Sequence, residues 1–161
     1  MGAATDTLTL QKGTLIPVKR TTMQGPVALK LEFAGNKVTG SLNMNGQEKP
    51  ISADTGGPLF PEAINVPQAF AALPLAEGYS TTFRNFDVQS QKTKLMQLKV
   101  SGAEKVTVGS STYDTYKVEI TSAEGGPDRE TIWVSKADHK AVKLESVLVA
   151  VGGAVMTAEL Q

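Results

Sequence analysis

Between Val27 and Ala53 the chain alternates apolar and polar residues with a period of two. A strand puts successive side chains on opposite faces, so this pattern describes half-buried strands. Val27, Leu29, Leu31 and Phe33 share one face, with Ala28, Lys30 and Glu32 on the other. Ala34-Gly35-Asn36-Lys37 reads as a turn, and Val38, Gly40, Leu42 and Met44 form the returning face. Asn45-Gly46 then gives the strongest short hairpin signal, because a type I′ turn needs positive φ at both central residues. A further strand follows around Glu48 to Ala53, giving three consecutive antiparallel strands over 26–53.

The same pattern returns in the second half. Ser80–Phe86, Lys92–Ser101, Glu104–Val108, Tyr113–Ser122, Glu130–Ser135, Ala141–Val151 and Ala154–Leu160 read as strands, separated by turn residues. In the strand from Glu130, Thr131, Trp133 and Ser135 alternate with Ile132 and Val134. Val, Ile and Thr make up 37 of 161 residues, as a pleated surface favours. One segment departs from the pattern. Over 54–74, Gly56, Gly57, Pro58, Pro61, Pro67 and Pro74 break strands, and QAFAAL after Pro67 suits a short helix. Its apolar residues Phe60, Ile64, Val66, Phe70 and Leu73 predict a plug against a sheet rather than a free linker.

The expected fold is therefore mainly β. It is a large curved antiparallel sheet of about ten strands, a half-barrel, with a short helical or proline-rich plug over 58–74. A closed β-barrel or a β-sandwich is the alternative. One domain over 1–161 is expected, with residues 1–4 as a start outside the fold, set after a removed leader. The longest apolar run, Val147–Met156, has ten residues, about half the length of a bilayer-spanning helix.

Composition narrows the chemistry. Sixteen basic residues balance sixteen acidic ones, evenly along the chain, which argues against a nucleic-acid partner. Zero cysteines remove disulfides, thiolate metal sites and cysteine nucleophiles, and a single histidine removes a multi-histidine metal cage. His139 lies in the polar turn Lys136–Lys140 and reads as an exposed turn residue. Ser110 and Ser111 follow Gly109, but the second glycine of a nucleophile elbow is missing. Asp114 and Glu119 are five apart in one strand and point to opposite faces. Asp54, Asp87 and Asp128 lack the spacing of a calcium loop. The Gly-Gly pairs at 56–57, 125–126 and 152–153 form no phosphate-cradling motif. No catalytic residue, metal or cofactor is expected.

Three strings in the second half carry a resemblance: LPLAEGYSTTF (Leu73–Phe83), VTVGSSTYDTYKVEI (Val106–Ile120) and ETIWVSKADHKAVKLE (Glu130–Glu145). They resemble an uncharacterised exported β-domain family of bacteria, a domain of unknown function. The resemblance covers Leu73 to Leu160. Ser135 stands where that family has an aspartate after its Trp-Val pair. The family's fold is similar to that of the lipoprotein carriers LolA and LolB, a curved antiparallel sheet plugged by helices. The resemblance implies a periplasmic or otherwise exported location, members that sit beside hydrolase domains, and no catalytic residue.

The expected function is a non-catalytic envelope domain that binds a lipid, a lipoprotein or another apolar ligand on the concave sheet face. Leu29, Leu31, Phe33, Leu42, Met44, Phe70 and Trp133 are the candidate lining residues. The alternative is a structural or protein-interaction domain, the accessory part of a longer exported hydrolase. A sheet edge near the apolar Val147–Val151 would then receive a protein partner or a second copy in a homodimer.

Overall fold

The computed structural model describes residues 4–61, 67–148 and 152–159. Among these residues, eleven strands form two antiparallel sheets, with one five-residue helix. The five-stranded sheet runs in chain order through β1 (Ala4–Leu10), β2 (Pro17–Gln24), β3 (Val27–Ala34), β4 (Lys37–Met44) and β5 (Gln47–Asp54). After α1 (Pro67–Ala71) come β6 (Ser80–Asp87), β7 (Lys92–Val108), β8 (Ser111–Ser122), β9 (Arg129–Ser135), β10 (Ala141–Leu148) and β11 (Ala154–Glu159). These six form a second sheet, again in chain order. Within each sheet, consecutive strands thus lie side by side, as short connections dictate. Neither sheet closes into a barrel.

The chain gathers into two compact units. One holds Met1–Pro61 with Arg84–Lys94, and the other Glu62–Phe83 with Leu95–Gln161.

The three strands expected over 26–53 are present as β3, β4 and β5. Asn45 and Gly46 have φ of 54° and 82°, the left-handed geometry that a type I′ turn demands. The first sheet contains two strands that the alternation does not reveal, β1 and β2. β1 starts at Ala4, within the stretch expected to lie outside the fold. The inward positions of β1 and β2 include Asp6, Arg20 and Thr22 beside Leu8, so this face reads as largely polar.

In the second sheet, the two strands expected at Lys92–Ser101 and Glu104–Val108 are one, β7. Its register slips between Val100 and Gly102, so Ser101-Gly102 forms a bulge, not a turn. The plug segment contributes α1, with Ala69, Phe70 and Ala71 buried. α1 packs against β10. Ile64 and Val66 of that segment, the end of the expected strand Ala141–Val151 and Leu160 lie outside the described residues.

The core of the first unit is Leu29, Leu31, Val38, Ile51, Leu59 and Phe86, with Phe33, Leu42, Ala53 and Val88 packed around it. Leu31, Gly40 and Ile51 stand side by side on β3, β4 and β5. Gly40 is needed there. A Cβ at this position would lie 1.9 Å from the Lys30 carbonyl oxygen, and its φ is +156°. Backbone cannot yield as a flexible side chain can. Gly40→Ala is expected to cost about 2–3 kcal/mol or more in urea unfolding. Gly46→Ala, where nothing lies within 4 Å, should cost only about 1 kcal/mol from its positive φ. Equal losses would remove the steric account of Gly40.

Candidate functional site

The register of the first sheet sets two adjacent rows on its inward side. One is Leu8–Arg20–Leu31–Gly40–Ile51, and the other Asp6–Thr22–Leu29–Leu42–Lys49. Both rows change character across the sheet. On β3 to β5 the side is mostly apolar, with Leu29 and Leu31 buried under Leu59 and Phe86. On β1 and β2, Leu8 apart, it is polar. Arg20 grips Asp6 with two parallel bonds, Nε to Oδ1 at 3.1 Å and Nη2 to Oδ2 at 2.7 Å. The Thr22 hydroxyl donates to the same carboxylate at 2.8 Å. The Asp6 side chain is only 3% exposed. Its charge can be buried because the fork of the guanidinium and the hydroxyl occupy its lone pairs.

Along β3 and β4 the cover thins toward the Asn45-Gly46 turn. Leu31 is 2% exposed, Leu42 is half-buried and Met44 is 50% exposed. Val27 pairs with Met44 and is half-buried. Of the candidate lining residues, Leu29, Leu31, Phe33, Leu42 and Met44 therefore form one continuous apolar side, closed at one end and open at the other.

Phe70 and Trp133 belong to the second unit. Phe70, on α1, is fully buried, its ring tilted against Phe83 with centroids 5.7 Å apart. Trp133 stands on the side of β9 opposite Ile132 and Val134. It packs with Val108 and Val142, next to Val106 and Tyr113. Its indole N–H donates to a Glu104 carboxylate oxygen. Lys143 and Lys117 lie over the ring, their Nζ atoms 4.8 and 5.9 Å from the centroid. These lysines stand directly across from Trp133 on β10 and β8. They cover the ring with their stems and add a cation–π attraction of about 0.5–1 kcal/mol each.

The apolar side of the second sheet carries one carboxyl group that sequence reasoning misses. Glu130 stands in the row Leu98–Ile120–Glu130–Ser146–Met156 and is 9% exposed. Removal from water pushes its pKa up to about 7. A signal was present: in the alternating strand that starts with it, Glu130 has the parity of Ile132 and Val134. The same parity test finds Arg84, two residues before the core residue Phe86 on β6.

The remaining polar candidates stay apart. His139 lies in the exposed turn after β9, its Nδ1 3.3 Å from the Ala71 carbonyl oxygen. Ser110 is exposed in the turn between β7 and β8, and Ser111, also exposed, opens β8. Asp114 pairs across from Lys105, and Glu119 from Lys99 on the other face. Among the described residues, no group of three or more acidic or histidine side chains gathers to hold a metal ion.

Two measurements follow. Trp133→Ala should destabilise the fold by about 3–5 kcal/mol in denaturant unfolding; a loss under about 1 kcal/mol would show the ring to be dispensable. The Glu130 linkage has a definite sign. A carboxyl with a raised folded pKa holds its extra proton in the native state between pH 4.5 and about 7, so stability falls as pH rises through that window. Relative to Glu130→Gln, the wild type should lose about 2–3 kcal/mol between pH 5 and pH 8. Parallel stability curves for the two proteins would refute it.

No curated protein matches the chain. No solved structure matches it. The model of one family matches residues 1–159, and so takes in the first half, which carries no resembling string. The chain, with its two antiparallel meanders, belongs to the family described as "Protein of unknown function (DUF3108)".

Proposed function

We propose that this protein is a non-catalytic domain of the bacterial envelope that binds an apolar ligand, an acyl chain of a lipid or lipoprotein, on the inward side of its five-stranded sheet. One observation carries the reading. The apolar side of β3 and β4 is closed over Leu29 and Leu31 but continues through the half-buried Leu42 to Met44, 50% exposed. A strand end that needed only a core would return to polar residues there. The resemblance of the second half to exported β-domains, and through them to lipoprotein carriers, supports both the location and the ligand class. The scattered polar candidates and the missing nucleophile elbow support a role in binding rather than catalysis.

A second reading has an observation of its own. β11 is an edge strand, mostly exposed, with Val155 63% exposed. β5, at the edge of the first sheet, carries Lys49 and Pro50, which discourage strand addition. β11 has no proline and no charge before Glu159. The expected edge near Val147 is interior instead, because β10 lies between β9 and β11. A protein partner or a second copy would add to β11.

Native mass spectrometry of the purified protein, with organic extraction and lipid analysis, tests the first reading. It predicts a bound acyl species, or near-unit binding of an added fluorescent fatty acid. Met44→Asp should weaken that binding about tenfold while the far-UV circular dichroism is unchanged, since burying a carboxylate beside an acyl chain is costly. A clean apo mass together with no binding of the added fatty acid would overturn the reading and favour the β11 edge.

A further inference from the structure

The first unit holds two guanidinium groups on the inner side of its strands, and they differ in one respect. Arg20 is claimed by Asp6 and stays so. Arg84 is half-buried, yet among the described residues no carboxylate pairs with it and no acceptor takes its N–H groups. Its position is nevertheless well defined. Nη1, Cζ and Nε lie 2.9, 3.0 and 3.4 Å from where a Cβ on Gly57 would be, so the flat guanidinium rests on the bare glycine. Gly57 is itself fixed. The Thr55 hydroxyl, 3% exposed as a residue, donates to the Gly57 carbonyl at 2.7 Å, and the Gly56 amide donates to Asp54 Oδ1 at 2.7 Å. The Phe60 amide binds the Arg84 carbonyl at 2.9 Å, tying β6 to this segment.

Two residues along each chain from this contact stand Leu59 and Phe86, both in the core that covers Leu29 and Leu31. Among the described residues, then, a seated cation whose donors no acceptor takes stands beside the apolar side of the sheet. Half-buried, the guanidinium keeps water on its remaining N–H groups, and an anion placed there would exchange those water contacts for charge-assisted bonds. A planar fork of donors matches a carboxylate or phosphate, whose oxygens accept two parallel bonds.

We infer that Arg84, seated on Gly57, is an oxyanion site that takes the carboxylate or phosphate of the ligand bound by the first unit. This rests on the proposed binding of an apolar ligand and names its class: an anionic amphiphile, with its chain against the apolar side and its charge at Arg84.

The test uses the full chain and three probes by calorimetric titration: dodecanoate, dodecan-1-ol and inorganic phosphate. The wild type should bind dodecanoate more tightly than dodecan-1-ol. Arg84→Gln should weaken dodecanoate roughly ten- to hundredfold, the worth of a charge-assisted pair of hydrogen bonds, and leave dodecan-1-ol unchanged. Arg84→Lys, a charge without the fork, should recover part of the loss. Gly57→Ala, which pushes the guanidinium off its seat, should weaken dodecanoate selectively as well. Phosphate binding that depends on Arg84 would also support the oxyanion site, and would assign it to free anions if dodecanoate binds no better. Equal dodecanoate affinity in wild type and Arg84→Gln would overturn the site while leaving the apolar reading intact. Failure of both dodecanoate and dodecan-1-ol to bind would overturn the apolar reading itself.

Discussion

The first sheet depends on an absent atom. Position 40 has no Cβ, and the space it would fill belongs to the Lys30 carbonyl oxygen on the neighbouring strand. That close approach lets Leu31 and Ile51 stand on either side of Gly40 in one row. Leu59 and Phe86 then close over the row, and the core of the unit is complete. Any side chain at position 40 would force β3 and β4 apart and loosen every contact built on their register.

What could be read beforehand follows from how burial was achieved. β3, β4 and β5 bury aliphatic side chains at every second position, so their alternation is visible and their turn residues fall where required. β1 and β2 bury an ion pair and a hydroxyl instead. Asp6, Arg20 and Thr22 look like solvent-facing residues in a linear reading, although they face inward. The bulge at Ser101-Gly102 imitates a turn for a related reason: a small residue and a glycine relax the local geometry in either case. The candidate site was legible in part. Leu29, Leu31, Phe33, Leu42 and Met44 share one side because parity alone puts them there. Trp133 does not share the apolar side of its own sheet, since its parity is opposite to that of Ile132 and Val134. Arg84 and Glu130 carried the parity of core residues, but hydropathy hides charged residues that take core positions.

Three charged groups on inward faces follow different courses. Asp6 keeps its charge by matching it to Arg20 and Thr22. Glu130, set among Leu98, Ile120 and Ile132, moves toward neutrality, as burial without a counter-charge requires. Arg84 does neither: it rests on Gly57 with no carboxylate beside it among the described residues.

The first unit is not a continuous stretch of sequence. It takes residues 1–61 and then Arg84–Lys94, and one of its core side chains, Phe86, comes from the later piece. During synthesis the five strands leave the ribosome well before that piece. Until it arrives, Leu29 and Leu31 lack part of their cover, and the nascent sheet exposes the surface that the finished protein mostly hides. The order of translation thus holds the domain open for a time. A holding chaperone would find Leu29 and Leu31 still partly uncovered in that interval, before the hairpin carrying Phe86 has emerged.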